Sequence, residues 1–206
     1  MELDLVLPAA VSLIASASVL LYGRFHKKIS FLLEESSIGA RDVVVMVASM
    51  GLMITAIAFI PKQAVQILFI IAYSYMLFSF AYIAFRKWYV AILPPAAFVL
   101  LYNYYWELPV FNLFVALFAV MIPVYVGSIF SWRTTWIFVV LLTAMDIIQV
   151  FGTGFMIASA SKMIELKLPV LLILPTFPAK TMIGLGLGDI FMSGLLAVQT
   201  SLKRGR

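Results

Sequence analysis

Two carboxylates stand where apolar runs leave little room for charge: Asp146 in TTWIFVVLLTAMDIIQVFGTGFMIASA, and Asp189 in TMIGLGLGDIFMSGLLAVQ. An ionised side chain at mid-bilayer is costly and by default marks a functional position. The other acidic residues, Glu2, Asp4, Glu34, Glu35, Asp42, Glu107 and Glu165, fall at or beyond the ends of apolar runs. Two carboxylates facing each other in lipid would suit proton transfer or acid–base hydrolysis. Held close, they cannot both ionise easily, so they share a proton and titrate apart. One can then take a proton from water while the other, protonated, polarises a peptide carbonyl. That chemistry needs no metal, no cofactor and no covalent intermediate.

Water must reach such a pair, which draws attention to the polar neighbours Thr143, Gln149, Thr153 and Ser193. Taken singly, each is expected to make ordinary hydrogen bonds, between helices or to the carbonyl four residues back. Gly184, Gly186 and Gly188 precede Asp189 at every second position. Glycine there would let a substrate backbone approach and would loosen the helix. Alternatively, Gly184 and Gly188 form a GxxxG helix-packing motif. The only histidine, His26, lies in a basic stretch and reads as solvated rather than as a ligand.

The elements that must position these residues follow from composition. The 206 residues are 65% hydrophobic and 11% charged, with mean hydropathy +1.12, which excludes a soluble domain. A bilayer core of about 30 Å takes roughly 20 apolar residues per helix, and lipid leaves backbone polar groups no outside partner, so the runs are helices. With no cysteine, a disulfide framework or thiol nucleophile is ruled out. The predicted fold class is an all-α polytopic membrane protein of about seven transmembrane helices, covering residues 5–22, 43–60, 64–85, 88–102, 110–130, 134–158 and 182–200. We read 1–206 as a single transmembrane domain, with 1–133 a five-helix scaffold region and 134–206 the helix pair that carries the aspartates. The leader MELDLVLP is acidic where a secretory signal is basic, so the first span is expected to be retained. All four tryptophans, Trp88, Trp106, Trp132 and Trp136, fall near predicted helix ends, where amphipathic rings favour the interface.

Ten Lys and Arg fall on one predicted side and four on the other. The positive-inside rule therefore puts the N-terminus outside and the SLKRGR tail in the cytoplasm. The net charge of +5 comes from short loops and the tail, so it reads as an orientation signal rather than a nucleic-acid surface. Residues 24–42 read as a charged connection, either solvated or holding a short interfacial helix through Ile29, Phe31, Leu32 and Leu33. The 163–181 link, MIELKLPVLLILPTFPAKT, is too apolar for an ordinary exposed loop. It reads either as a re-entrant strand able to pair with an extended substrate or as an apolar linker lying on the bilayer. On spans six and seven, Asp146 and Asp189 lie about 16–18 Å from the cytoplasmic ends. Equal depth on neighbouring antiparallel helices is what a facing pair requires.

From about Thr143 to Leu196 the chain resembles the signal peptide peptidase and presenilin family of GxGD intramembrane aspartyl proteases. The resemblance rests on Asp146 with Val150–Thr153 (VFGT) and Met156, then Lys167, Leu168 and Pro169, then Gly186, Leu187, Gly188 and Asp189. The VFGT flank is closer to signal peptide peptidase than to presenilin. The resemblance implies that Asp146 and Asp189 are the catalytic pair, and that Met145, Leu168, Pro169, Gly186, Leu187 and Gly188 shape the site and contact substrate. It implies a transmembrane-helix or signal-peptide substrate, a lipid bilayer, no nucleic acid, a homo-oligomer or an additional subunit or C-terminal spans completing the site, and a prokaryotic, archaeal-like cell membrane. Two departures accompany it. Met145 stands where the family has Tyr, and the sequence lacks the two further spans with their Pro-Ala-Leu motif, Pro178-Ala179-Lys180 being different in residues and position. The chain would then be a fragment, a short homologue, or one part of a site completed by another subunit. Two other readings compete: a proton-coupled transporter using the same carboxylates, and a catalytically inactive binder of membrane helices.

Overall fold

The computed structural model describes residues 6–32, 38–176 and 181–204. The expected features at Leu33 and at Pro178, Ala179 and Lys180 lie outside the described residues, as do the side chains of Phe31 and Leu32. The helices are α1 (Val6–Leu32), α2 (Ala40–Phe59), α3 (Lys62–Phe85), α4 (Trp88–Ala91), α5 (Leu93–Tyr104), α6 (Leu108–Ile129), α7 (Trp132–Ile147), α8 (Phe155–Glu165) and α9 (Leu187–Arg204). A π-helical segment, Ile148–Thr153, joins α7 to α8. Strands β1 (Leu171–Pro175) and β2 (Met182–Gly186) form an antiparallel hairpin before α9. The protein is an all-α polytopic membrane bundle that carries this one two-stranded sheet.

Five helical stretches among the described residues are long and apolar enough to cross a membrane: Val6–His26 of α1, α2, α3, α6 and Trp132–Thr153. Side chains such as Leu20, Phe59 and Phe151 are exposed on them. In water such a surface would associate; in lipid it is solvated. The predicted fourth span is broken into α4 and α5, because Pro94 and Pro95 open α5 and end α4 at a kink. The predicted seventh span starts late. Residues 182–186 are strand, leaving α9 with 18 residues.

The first helix runs further than its apolar segment. It continues through Arg24, His26 and Lys28 to Leu32, so the expected 24–42 connection begins as helix. Its apolar positions explain why, since Ile29 is wholly buried in a cluster with Tyr22, Ile83, Val124 and Val198.

The described chain divides into two compact units. One holds α1, residues 73–129, the hairpin and α9; the other holds residues 36–72 and 130–168. In the first, α1, α6 and α9 pack on one another. Half of α6's apolar stretch is buried, against 17% to 22% in the other four spans, which makes α6 the core of that unit. Small residues permit the contacts. A Cβ at Gly127 would lie 2.9 Å from the Val198 side chain, and one at Gly194 would lie 2.7 Å from Pro123. Trp106, between the end of α5 and the start of α6, packs its ring among Phe98, Tyr102, Phe111 and Phe114. In the second unit α2 packs against α7 and α8.

Candidate active site

Asp146 is the penultimate residue of α7, half-buried, two residues before the π-helical segment begins. The expectation of one continuous helix over 134–158 is therefore corrected. The α-helix widens to π pitch at Ile148 and stops at Gly154, which has φ +69. Only glycine enters that left-handed region without steric cost, so the GTG of the flank is a built-in break. π-helical turns recur at functional sites because they re-aim side chains without ending the helix.

The rotation of this segment is fixed by contacts on either side of Asp146. Met145 and Gln149, one turn apart, both pack into the notch at Gly51 of α2. A Cβ there would lie 2.7 Å from Met145 Cε and 3.2 Å from Gln149 Nε2. Gln149 is buried and its Nε2 donates to the Gly51 carbonyl at 2.7 Å. Further along, Ser159 Oγ donates to the Ile54 carbonyl at 2.7 Å. Lys162 Nζ then donates to the carbonyls of Ile57, Ala58 and Ile60 at 2.7–2.8 Å. Those carbonyls end α2 just before Pro61, where no further amide continues the ladder, and a cation there also meets the negative end of the helix dipole. Lys62 and Glu165 add an exposed ion pair. Neither Lys162 nor Gly51 was singled out by sequence reasoning. A lysine within the last turn of an amphipathic helix was the available signal.

Asp189 lies in the first turn of α9 and is exposed. The expectation that it sits deep inside a helix is corrected by the strand that precedes it. Alternating glycines weaken a helix and here serve the hairpin. Gly186 and Gly184 lie opposite Leu171 and Ile173, and a Cβ at Gly184 would fall 2.6 Å from the Leu171 side chain. The GxxxG helix-packing alternative fails for the same reason, since Gly184 is not helical. Gly186 has a different neighbour: a Cβ there would sit 3.4 Å from Asp189 Oδ2, whereas nothing lies within 4 Å of one at Gly188. Leu187 N–H donates to the Val170 carbonyl at 2.9 Å, closing the hairpin onto the start of α9.

The apolar 163–181 link does contain a strand, as one of its two readings expected, but that strand pairs with β2. Its other edge is occupied. Asn112 of α6 donates from Nδ2 to the Ile173 carbonyl at 2.6 Å and accepts from the Ile173 N–H at 3.0 Å. Ile173 thus turns away from β2, so by antiparallel alternation the N–H and C=O groups of Met182, Gly184 and Gly186 point to the opposite edge. No further strand pairs there among the described residues. Asn112, which sequence reasoning passed over, was detectable as an amide in an otherwise apolar run.

Leu168 is buried after Lys167, whose φ of +51 turns the chain out of α8. The Pro169 carbonyl accepts from the Tyr73 hydroxyl at 3.3 Å. Thr143, Thr153 and Ser193 donate to the carbonyls four residues back, at 2.8, 3.3 and 3.0 Å. Of the four polar neighbours only Gln149 reaches another helix. Met145, Asp146 and Leu168 belong to the second unit, and Pro169, Gly186, Leu187, Gly188 and Asp189 to the first.

Comparison with family models gives a match to signal-peptide peptidase, presenilin aspartyl protease over residues 6–202. The chain belongs to this family. No curated protein and no solved structure matches it. Membership extends the resemblance of the last third of the chain to nearly its whole length, and makes the protein an integral membrane member of a family of intramembrane aspartyl proteases.

Proposed function

We propose that this chain hydrolyses peptide bonds within transmembrane helices or signal peptides, with Asp146 and Asp189 as the catalytic pair of GxGD type. The observation that carries the reading is the edge of β2 left unpaired among the described residues, which runs through Gly184 and Gly186 to end beside the Asp189 carboxylate. An unwound substrate segment would add to that edge as a strand, its amides paired with Met182, Gly184 and Gly186. Leu187 and Gly188, which follow β2 directly, would line the path.

One aspartate, ionised, removes a proton from water as the oxygen attacks the scissile carbonyl carbon. The other, protonated, donates to the carbonyl oxygen. The resulting gem-diol collapses, its C–N bond breaks, and the nitrogen leaves as an amine carrying one of these protons. Met145 supplies no hydroxyl near the pair, so turnover would be slower than with Tyr. We also propose an N-terminus outside and a cytoplasmic tail, on the Lys and Arg distribution.

The test is cleavage of a model transmembrane signal peptide by the purified chain beside Asp146→Ala and Asp189→Ala. Loss in both variants, and inhibition of the parent by an aspartyl-protease transition-state analogue, are expected. Undiminished proteolysis by either variant would overturn the dyad.

A further inference from the structure

Away from both aspartates, α1, α3, α5 and α6 line an open, outward-facing cavity of about 690 Å³ within the first unit. It extends from Leu13 to Phe25 along α1, from Leu77 to Phe85 on α3 and from Leu113 to Met121 on α6. Every lining side chain is Leu, Ile, Val, Ala, Phe, Pro or Met. A polar guest would lose its hydrogen bonds to water with none in return, so the occupant is hydrocarbon. The twelve helical steps from Leu13 to Phe25 make the cavity about 18 Å long, close to the roughly 15 Å of half a bilayer core. It is matched to one leaflet.

The two ends differ in charge. Arg24 adjoins Phe25, and Lys28 Nζ lies 5.5 Å from the centre of the Phe25 ring. Arg86 and Lys87 follow Phe85, the last residue of α3. The Phe25 and Phe80 rings touch, with centroids 5.3 Å apart, so these four basic residues share one end. All four are exposed, and Arg86 is held at the strained φ of +54. The Leu13–Leu113 end has no comparable charge, since the sequence carries no Lys or Arg between 5 and 23 or between 88 and 132.

We propose that this cavity binds an anionic phospholipid, one acyl chain between α1, α3 and α6 and the phosphate against Arg24, Lys28, Arg86 and Lys87. Basic pockets between membrane helices hold anionic headgroups by this combination of apolar slot and cationic rim. The site shares no residue with the proposed catalytic machinery.

Native mass spectrometry of the purified full chain, offered equal phosphatidylglycerol and phosphatidylcholine of identical acyl chains, tests it. Phosphatidylglycerol should be retained at least about fivefold better, the worth of a single basic side chain beside an anionic headgroup. Arg24→Gln with Arg86→Gln should remove most of that preference, and Ala116→Trp should lower retention of both lipids. Equal retention by the parent chain, or a preference unchanged by the charge substitutions, would overturn the proposal. So would a dimer that Ala116→Trp dissociates while lipid retention stays constant, because a second copy would then be the occupant. If Ala116→Trp does not fold, the surface charge variant, which leaves the packing intact, decides alone.

Discussion

At the scale of single residues, the proposed chemistry needs two carboxylates in opposite protonation states. Asp146→Asn and Asp189→Asn each keep shape while removing the titrating group. Each should lower cleavage by about 10²–10⁴-fold, the usual range for acid–base catalysis, with the helical circular-dichroism spectrum unchanged. The same requirement predicts a bell-shaped pH–rate profile. Activity falls on the acid side as the base is protonated, and on the alkaline side as the acid ionises. The glycines of the GLGLGD run separate by neighbour. Gly186→Ala sets a methyl 3.4 Å from Asp189 Oδ2 and should reduce kcat with the fold retained. Gly184→Val collides with Leu171 and should unpair the hairpin. Gly188→Ala meets nothing within 4 Å and should be the mildest of the three in a parallel cleavage and melting series.

At the scale of elements, the segment bearing Asp146 is aimed by α2 and the hairpin leading to Asp189 by α6. Lys162→Met deletes the donor to three carbonyls at the end of α2. It should destabilise the protein by about 1–3 kcal/mol, the cost of leaving such groups unsatisfied, read as a lower thermal midpoint in detergent. Asn112→Leu removes both partners of Ile173. Faster hydrogen exchange at the Ile173 amide should follow, with reduced cleavage although Asn112 lies on a different helix from either aspartate. Gly154→Ala keeps the chain apolar but penalises φ +69 by about 1–2 kcal/mol. Activity lost while the helix content is preserved would mark the break after the π-helical segment as the part that matters.

At the scale of the whole molecule, the proposed topology is open to a direct check because the protein contains no cysteine. A single thiol introduced by Gln63→Cys, at the start of α3, should react with an impermeant maleimide added outside intact cells. Arg133→Cys, at the start of α7, should react only after the membrane is opened. The reverse pattern would invert the orientation and with it the face on which products leave.

Membrane class and the two aspartates were legible because both are local properties. The length of an apolar run reports lipid burial, and an Asp inside such a run is conspicuous in any context. What stayed hidden was non-local. Hydropathy cannot separate an apolar helix from an apolar strand, so residues 182–186 read as helix until β1 supplied a partner and Asn112, 61 residues away from Ile173, closed the far edge. Gln149 and Lys162 pair with backbone 98 and 102–105 residues distant, separations at which a sequence carries no signal of contact. Among apolar helices, non-helical backbone persists only where protein satisfies its polar groups. The sequence by itself therefore determined which residues could do the chemistry. Only the tertiary structure decided that one stands at the end of a helix and the other at the start, because that depended on which distant carbonyls and amides found partners.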